Sequence, residues 1–409
     1  MAQDLLYLVH RIPYPPNKGD KIRSFHLLRF LAERYRVHLG TFVDYEEDWK
    51  YLSEVGSLCA DVCAVKLNPT RQGVRSLKGL LAGEPLSVPY YASSSLRDWV
   101  RRKVEELGIT RMVFFSSPMV QYAPSNGVAM RKVVDFVDVD SEKWRQYSER
   151  RSWPLRWLYR REGELLLDFE RAAASSADAS IFVTREEAEV FRLRARPWIE
   201  DEGRIRAIPN GVDTDYFAPQ GSYPSPFESG GPVMVFTGMM DYWANVDAVT
   251  WFAEEACPRI RTAVEGARFF IVGARPTRAV EKLGALPGVT VTGQVEDVRP
   301  YLAHAEIAVA PLRVARGIQN KVLEAMAMAK PVVATAAALE GLELPRGLAR
   351  VGSTSDELAA GAIELLRSRG EREALGARGR GWVEENHDWA RTLLPIAELI
   401  ENGGDRASA

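Results

Sequence analysis

The chain has 409 residues, which is enough for two domains of ordinary size, each with its own core. Hydrophobic residues make up 46% and charged residues 26%, a composition that excludes disordered and fibrous proteins. The formal net charge of −2 gives no indication of a nucleic-acid partner.

The N-terminal residues and the cysteines favour a cytoplasmic protein. No secretory signal pattern and no run of about 18 apolar residues occurs, so we expect the chain to lie, at most, on the inner face of a membrane. Cys59, Cys63 and Cys257 lack metal-ligand spacing, which fits a reducing compartment. Because Cys59 and Cys63 stand four residues apart, a helix would place both on one face as a buried thiol pair.

Short apolar runs alternate with helical patterns along the first half of the chain. Continuous apolar strands that alternate with helices are typical of parallel sheets covered on both faces. The predicted strands of this half are 5–9, 37–43, 62–67, 112–115, 133–137 and 180–183.

The same pattern restarts after a stretch rich in Gly, Pro and Ser at 219–232. It predicts a second parallel sheet, and therefore an α/β fold of two Rossmann-like domains that face a cleft. The predicted strands are 233–237, 269–272, 289–292, 307–310 and 332–335, and the predicted helices include 244–262, 321–329, 356–381 and 390–401.

Glycines follow several of the predicted strands of the second half. Ligands of parallel sheets bind beyond the carboxyl ends of the strands, and Gly238, Gly273 and Gly293 stand at such ends. A glycine lets the backbone approach a ligand closely, although an ordinary strand-to-helix turn also needs one. The set, more than any single glycine, therefore indicates a site.

The segment after strand 307–310 combines a predicted helix start with cationic side chains. Free N–H groups and the positive end of the dipole make a helix N-terminus a natural diphosphate site. Arg313, Arg316 and Lys321 lie on the same short stretch as Gly317.

Glu324 follows one turn later on a helix otherwise made of Ala, Met, Val and Leu. A carboxylate in such surroundings needs a partner. The two hydroxyls of a ribose would supply one. The alternative is a structural salt bridge to Lys321 or Lys330.

The sequence Gly317-Ile-Gln-Asn-Lys-Val-Leu-Glu324-Ala-Met-Ala-Met-Ala-Lys-Pro331 resembles the nucleotide-sugar motif of retaining glycosyltransferases of family 4, which adopt the GT-B fold. Supporting matches occur at Pro13-Tyr-Pro-Pro-Asn-Lys-Gly-Asp-Lys21, Pro209-Asn-Gly-Val-Asp213 and Phe236-Thr-Gly238. The sequence of the first half is similar to that of sugar transferases found with exosortase (PEP-CTERM) exopolysaccharide systems.

The resemblance implies an acceptor-side domain at 1–212, a nucleotide-sugar domain at 213–385 and a C-terminal helix at 386–409 that packs back on the first domain. It also implies transfer, with retention, from a nucleotide-diphosphate sugar to a glycan or lipid-linked hydroxyl acceptor, without a metal or other cofactor. A nucleotide-sugar epimerase of the same fold and a non-catalytic nucleotide-sugar-binding protein are the rival functions.

Donor-binding roles also follow from the resemblance. Glu324 would bind the ribose hydroxyls, and Gly238 would face the diphosphate. Gly273, Gly293 and Val295 would border the base, while Gly19 would approach the donor from the first domain.

Three departures separate the chain from the family pattern. A glutamate usually stands eight residues before Glu324, where this chain has Arg316, and the segment 239–245 lacks the usual Arg and Lys. A histidine that many members carry after the fourth strand is replaced by Ser116 or Ser117. One hypothesis joins the first two: Arg316 and Lys321 meet the diphosphate charge, with help from Lys18 or Lys21.

The first half contains three further candidate catalytic residues. His10, at the end of the first strand, could position the acceptor hydroxyl or act as a base, or could merely cap its loop. Asp138 and Asp140 match a short metal-binding Asp-x-Asp pattern, which Asp213 and Asp215 match equally. We expect Asp138 and Asp140 to line the acceptor side without a metal.

From Lys143 to Arg161 the chain is basic and aromatic. Such a surface suits anionic lipid headgroups, with aromatic rings at the interface. A solvated basic face that packs through its tryptophans is the alternative.

Arg316→Glu is expected to weaken binding of a nucleotide sugar, because it replaces a cation with a carboxylate beside the diphosphate. Thermal-shift titration of the variant against the unmodified chain measures the loss. Unchanged donor affinity and turnover would exclude a role for Arg316.

Overall fold

The computed structural model describes residues 2–16, 19–68, 70, 72–73, 76, 79–80, 83–124, 129–149, 151–196, 198–199, 202–315 and 317–401. The chain forms two compact units. The first consists of Met1–Pro209 with Leu393–Ala409, and the second of Asn210–Thr392.

A parallel sheet of seven strands forms the centre of the first unit, in the order β3-β2-β1-β4-β5-β6-β7. Strand β1 lies inside this sheet between β2 and β4, and its residues Leu5 to Val9 are fully buried because helices cover both faces. The strands are β1 Asp4–Val9, β2 Arg36–Val43, β3 Asp61–Lys66, β4 Arg111–Phe115, β5 Arg131–Val137, β6 Ala179–Phe182 and β7 Ile205–Ala207.

The helices described in the first unit connect these strands. They are α1 Gly19–Ala32, α2 Leu52–Gly56, α3 Ser87–Tyr90, α4 Ser94–Leu107, α5 Asp140–Glu149, α6 Leu155–Ser176 and α7 Arg185–Ala195. Short 3-10 turns occur at Glu46–Tyr51, Ser117–Tyr122 and Glu202–Arg204.

The second unit repeats this architecture with six parallel strands in the order β10-β9-β8-β11-β12-β13. Gly238, Gly273 and Gly293 stand at the carboxyl ends of its first three strands. The strands are β8 Val233–Thr237, β9 Arg268–Val272, β10 Val289–Gly293, β11 Ile307–Ala310, β12 Val332–Ala334 and β13 Arg350–Val351.

The helices of the second unit begin with α8 Trp243–Trp251, which continues through one π-helical turn, Phe252–Ala256, into α9 Cys257–Ala263. The others are α10 Arg278–Leu283, α11 Arg299–His304, α12 Asn320–Ala327, α13 Ala336–Leu339, α14 Ser355–Arg367, α15 Arg369–Asn386 and α16 Trp389–Thr392.

The last helix, α17 Leu394–Glu401, belongs to the first unit. Arg131 Nε, on β5, donates to the Leu399 carbonyl over 2.7 Å, and Tyr35 Oη donates to Glu401 over 2.9 Å. Ile396 and Ile400 are buried. The C-terminal helix α17 therefore packs on the first unit, whereas residues 386–392, which were predicted to pack there as well, belong to the second unit.

Several local predictions need correction. Cys63 lies on β3 and Cys59 precedes it, so the two thiols do not share a helix face, and both are only partly buried. The predicted helix 356–381 is two helices, because Ser368 ends α14 and its side chain caps α15 through the Glu371 N–H.

A buried ion pair joins α1 to β5 in the first unit. Arg23 Nε donates to Asp135 Oδ2 over 2.7 Å, and neither residue is exposed. Arg23 Nη1 also donates to the Pro209 carbonyl over 3.2 Å. Burial raises the pKa of Asp135 in spite of the nearby guanidinium. Each of the two buried charges is therefore stabilised only while its counter-ion is present.

Asp135→Asn is expected to lower the free energy of unfolding of the first unit by about 3–5 kcal/mol, because it leaves the Arg23 charge buried without a counter-ion. Urea denaturation followed by circular dichroism measures this loss. Glu164→Gln is the matched control, since it removes one partner of the exposed Arg160–Glu164 pair and should cost less than about 1 kcal/mol. Equal losses in the two variants would contradict the prediction.

Candidate functional site

The carboxyl ends of β8, β9 and β10 meet through their glycines. The Gly238 N–H donates to the Val272 carbonyl over 3.1 Å, and the Gly273 N–H to the Gly293 carbonyl over 3.2 Å. A Cβ on Gly273 would lie 1.7 Å from the Gly238 oxygen, so only glycine allows this approach. At Gly293 the backbone has a φ of +70° and open space, so that glycine is needed for its conformation.

Lys321, in the first turn of α12, lies against this edge. Its Nζ donates to Asn245 Oδ1 over 2.6 Å and stands 4.6 Å from the centre of the Phe236 ring. The same Nζ would be 3.4 Å from a Cβ on Gly238. Burial lowers the pKa of Lys321 to about 8, although the charge of Glu324 opposes this shift. The structure therefore brings together Gly238, Gly273 and Lys321, as the sequence predicts.

Glu324 is partly buried on α12, and its carboxyl group has no hydrogen-bond or ion-pair partner within the described part of the chain. Lys321 donates to Asn245, and Lys330 donates to the Ala303 carbonyl, so neither predicted salt bridge forms. Burial raises the pKa of Glu324 to about 7, and the charge of Lys321 offsets only part of this effect. A carboxylate kept in such a state is more typical of a ligand site than of structural support.

An aromatic residue that the sequence analysis missed lies near Glu324. Burial raises the pKa of Tyr216, and the charges of Asp297 and Glu324 add to this shift. Its ring is covered by Arg299, whose guanidinium carbon lies 3.8 Å from the ring centre and which is paired with Asp297 over 2.7 Å. Tyr216 directly follows Asp215, in the segment considered only as a metal pattern.

Other predicted donor-binding residues of the second unit lie elsewhere or cannot be placed. Arg313 makes a two-point contact with Asp247, with Nε 2.9 Å from Oδ2, and stands 5.2 Å from the centre of the Trp251 ring. It is thus a surface ion-pair residue, which corrects its predicted place beside Lys321. Val295 packs against the core. Gly317 has a φ of +61° with open space around it, and Arg316 lies outside the described residues.

The two candidates on α1 differ in their exposure. Gly19 begins the helix and is exposed, and no atom lies within 4 Å of the point where a Cβ would stand. Lys21 is 2% exposed, and its Nζ binds Asp48 Oδ2 at 2.6 Å and the Tyr14 carbonyl at 3.3 Å. Lys21 therefore supports the loop after β2, which corrects its prediction as a donor cation, and Lys18 lies outside the described residues.

His10 stands at the end of β1 with a carboxylate partner. Its Nε2 lies 3.6 Å from Asp20 Oδ2, and its ring stacks parallel to Phe115 at 5.8 Å. Arg11 Nη1 binds the same Asp20 oxygen at 2.7 Å. Burial alone would raise the pKa of Asp20, but the hydrogen bond from His10 and the charge of Arg11 lower it below its usual range. This carboxylate can orient the imidazole.

Asp138 and Asp140 share one cation. Lys143 Nζ donates to Asp138 Oδ2 over 2.7 Å and to Asp140 Oδ1 over 3.1 Å. Burial opposes the charge of Lys143, but the two carboxylates raise its pKa above the usual range. Among the described residues, no group of three or more His, Cys, Asp or Glu side chains could hold a metal ion.

Two residues with left-handed backbone follow β4 and end β5. Ser116 has a φ of +75° and Val137 a φ of +70°. For a β-branched residue such as Val137 this conformation is costly, and it is often found at functional sites. The adjacent Ser117 is 1% exposed, and its Oγ has no partner in the described structure. Ser116 and Ser117 thus stand at the strand end where the sequence analysis places them.

Comparisons with known proteins match the second unit to a protein family and the chain to several relatives. Residues 231–368 match the family Glycosyl transferases group 1. Among curated proteins, the chain is 29% identical over 225 residues to a GDP-mannose-dependent alpha-(1-6)-phosphatidylinositol monomannoside mannosyltransferase of Mycobacterium tuberculosis, covering 50% of this chain and 57% of that protein. The protein of the same name from Mycolicibacterium smegmatis is 26% identical over 251 residues, covering 56% and 64%. The chain thus matches less than two thirds of the length of these relatives.

Solved structures resemble the chain over nearly its whole length. Sucrose-phosphate synthase from Thermosynechococcus elongatus has a TM-score of 0.66 at 17% identity, covering 97% of this chain and 98% of that one. WaaG, a glycosyltransferase involved in lipopolysaccharide biosynthesis, has a TM-score of 0.64 at 17% identity, covering 98% and 100%. The fold is GT-B.

Glu324→Gln is expected to stabilise the second unit above pH 7. Because the pKa of Glu324 is raised, its carboxyl is neutral in both the folded and the unfolded chain below about pH 4.5. Above about pH 7 it is ionised in both, and the buried charge then lowers the free energy of unfolding. The free energy of unfolding should therefore differ little at pH 4.5, while at pH 8 the variant should exceed the wild type by on the order of 1–3 kcal/mol. Thermal melts across this pH range measure the difference.

Glu385→Gln is the control, because Glu385 is an exposed glutamate of the same unit. It should leave the stability curve unchanged at every pH. If Glu324→Gln changed the free energy of unfolding equally at every pH, ionisation of the buried Glu324 carboxyl would not be what destabilises the wild type.

Proposed function

We propose that the chain is a retaining glycosyltransferase that moves a sugar from a nucleotide-diphosphate sugar to a hydroxyl of a glycan or lipid-linked acceptor, in exopolysaccharide or glycolipid synthesis. The observation that supports this most strongly is Glu324, a carboxylate without a partner among the described residues, beside a cation and a glycine-lined strand edge. A ribose with two neighbouring hydroxyls would satisfy both carboxylate oxygens.

Lys321 is the proposed contact to the diphosphate. Its amine is already oriented by Asn245, so little side-chain freedom is lost when an anion binds. A bound diphosphate would also stabilise the charged form of this lysine, whose pKa burial lowers to about 8. The free N–H groups at the start of α12 would add further hydrogen bonds, and Arg316 adds a cation nearby in the sequence.

These groups would act on the leaving diphosphate. In the proposed reaction the bond from the anomeric carbon to the phosphate oxygen breaks, and the acceptor oxygen forms its bond on the same face of the sugar. The acceptor proton passes to the departing phosphate oxygen, so no protein carboxylate is needed as a nucleophile. Lys321 and the helix N-terminus would stabilise the charge that develops on the diphosphate.

The first unit would supply the acceptor side. We propose that His10, oriented by Asp20, contacts the acceptor hydroxyl, and that Asp138 and Asp140 border the acceptor with their shared Lys143. The exposed Gly19 at the start of α1 would leave room for the donor to approach the backbone.

GDP-mannose is the first donor to test, since the mycobacterial relatives are named as GDP-mannose-dependent mannosyltransferases that act on a phosphatidylinositol glycolipid. UDP-glucose is the second, because a solved structure of the same fold, Anabaena HepE, contains UDP and glucose.

The test is a panel of nucleotide sugars, with binding measured by thermal shift and turnover by release of the nucleoside diphosphate. One donor is expected to raise the melting temperature of the wild type. The same donor should be hydrolysed slowly, with release of its nucleoside diphosphate, even when no acceptor is present. Glu324→Ala should weaken binding of that donor about 100-fold, because two hydrogen bonds to a charged group are lost. Its affinity for inorganic diphosphate should change much less.

Glu385→Ala is the control and should bind the donor like the wild type. Release of an epimerised nucleotide sugar would show that the chain is an epimerase. Binding without any turnover would show that it is a nucleotide-sugar-binding protein without catalytic activity. If no nucleotide sugar shifts the melting temperature, the donor site is wrong. EDTA in a parallel series tests whether the reaction needs a metal.

A further inference from the structure

Seven consecutive residues, Arg151 to Trp157, are exposed where α6 begins. We call this segment Arg-Ser-Trp-Pro-Leu-Arg-Trp the interfacial turn. Its large apolar side chains face solvent, with Trp153 82%, Trp157 57% and Leu155 44% exposed. Tryptophan is usually buried for most of its surface, so two exposed rings four residues apart need an explanation.

The body of α6 holds the interfacial turn in place. Glu162 is buried and accepts hydrogen bonds from the Leu86 and Ser87 N–H groups at 2.6 and 2.9 Å. Gly163 packs so closely on α5 that a Cβ there would lie 2.9 Å from the Ser141 carbonyl oxygen. The exposed end therefore projects from a helix that is anchored one to two turns later.

Inward packing accounts for only one of the tryptophans between Lys143 and Arg161. The Trp144 ring contacts Tyr159 edge-on at 5.1 Å, as expected for a face that packs through its aromatic residues. Trp153 and Trp157 have no ring contact in the described structure. The alternative of a merely solvated, inward-packed face is thus wrong for the interfacial turn.

Charge is concentrated in the same stretch. From Lys143 to Arg161 there are seven basic residues and one acidic residue, in a chain whose formal net charge is −2. Most of the cations described there have partners: Lys143 binds Asp138, Arg145 binds Glu142, Arg160 binds Glu164, and Arg161 donates to the Gly79 carbonyl. Arg150 counts in this balance and lies outside the described residues.

The side chains of Arg151 and Arg156 have no partner within the described part of the chain. Both belong to the interfacial turn, so its uncompensated positive charge stands beside its exposed tryptophans. None of the described helices has the length and hydrophobicity needed to cross a bilayer.

We propose that the interfacial turn binds the surface of an anionic phospholipid bilayer. Trp153, Leu155 and Trp157 would enter the headgroup region, where tryptophan partitions favourably, and Arg151 and Arg156 would bind lipid phosphates. The excess of positive charge favours a bilayer over an uncharged apolar partner. The proposal does not rest on the transfer reaction, since it concerns a surface and uses no residue of the donor site.

The test is sedimentation of the full chain with vesicles of phosphatidylcholine alone or of phosphatidylcholine mixed with phosphatidylglycerol. The wild type is expected to pellet only with the anionic vesicles, and less so as salt is raised. Arg151→Gln with Arg156→Gln should lower the partition coefficient roughly 30-fold, as expected for two cations at an anionic surface. Trp153→Ser with Trp157→Ser should lower it about tenfold or more.

Matched controls change the same chemistry elsewhere on the surface. Arg278→Gln with Arg346→Gln removes two exposed charges of the second unit, and Trp198→Ser removes a ring that is 65% exposed. Both controls should bind anionic vesicles like the wild type. All substituted side chains are exposed, and the circular dichroism spectrum checks that each variant is folded.

Three outcomes would overturn the proposal. One is equal binding of the wild type and both turn variants, and another is equal binding to neutral and anionic vesicles. The third is that the wild type does not bind vesicles but sediments as a dimer in the ultracentrifuge, while the Trp153→Ser, Trp157→Ser variant sediments as a monomer. In that case the interfacial turn is a contact between copies of the chain.

Discussion

A carboxylate without a partner among the described residues is the feature on which the proposed chemistry depends. Glu324 sits on an apolar helix because α12 must pack against β11 and β12 to complete the second unit, and its ionised form is disfavoured there. Folding tolerates this cost at one position, while nearly every other buried charged group described in the two units has a counter-ion or a backbone partner. Such local conflicts are where function is to be sought.

The strand edge around Glu324 shows how packing and binding requirements coincide. Gly273 must be glycine because a Cβ there would meet the Gly238 carbonyl oxygen, and a Cβ on Gly238 would lie 2.8 Å from the Asn245 side chain. Both reasons are structural. The same glycines add no side chain of their own beside Lys321, which is what close approach of a diphosphate to the backbone would require. Packing and diphosphate binding therefore both call for glycine at these positions, and the two explanations are compatible.

The fold could be predicted from the sequence because its strands are continuous apolar runs. All eleven predicted strands are present, with bounds within two residues of those observed. The two that were missed, β7 Ile205–Ala207 and β13 Arg350–Val351, are edge strands of three and two residues. Strands so short and exposed carry too few apolar residues for periodicity to reveal them.

Prediction of the site was more uneven, for a physical reason. Lys321 and Glu324 lie on one helix, so their proximity follows from the local sequence. Lys21 pairs with Asp48 and Arg313 with Asp247, 27 and 66 residues away, and only the tertiary structure brings those charges together. Tyr216 was missed for the same reason, since the loop that carries it meets α11 and α12 only after folding.

The assignment of α17 to the first unit has a topological consequence. The second unit is a single continuous segment, Asn210–Thr392, inserted between two parts of the first. It can therefore be exchanged as one cassette through the junctions at Pro209 and Leu393. The first unit needs both of its pieces, because a chain cut after Pro209 loses the Leu399 carbonyl and the buried Ile396 and Ile400 that complete it. Chimaeric proteins of this architecture should thus be built by replacing the inserted segment.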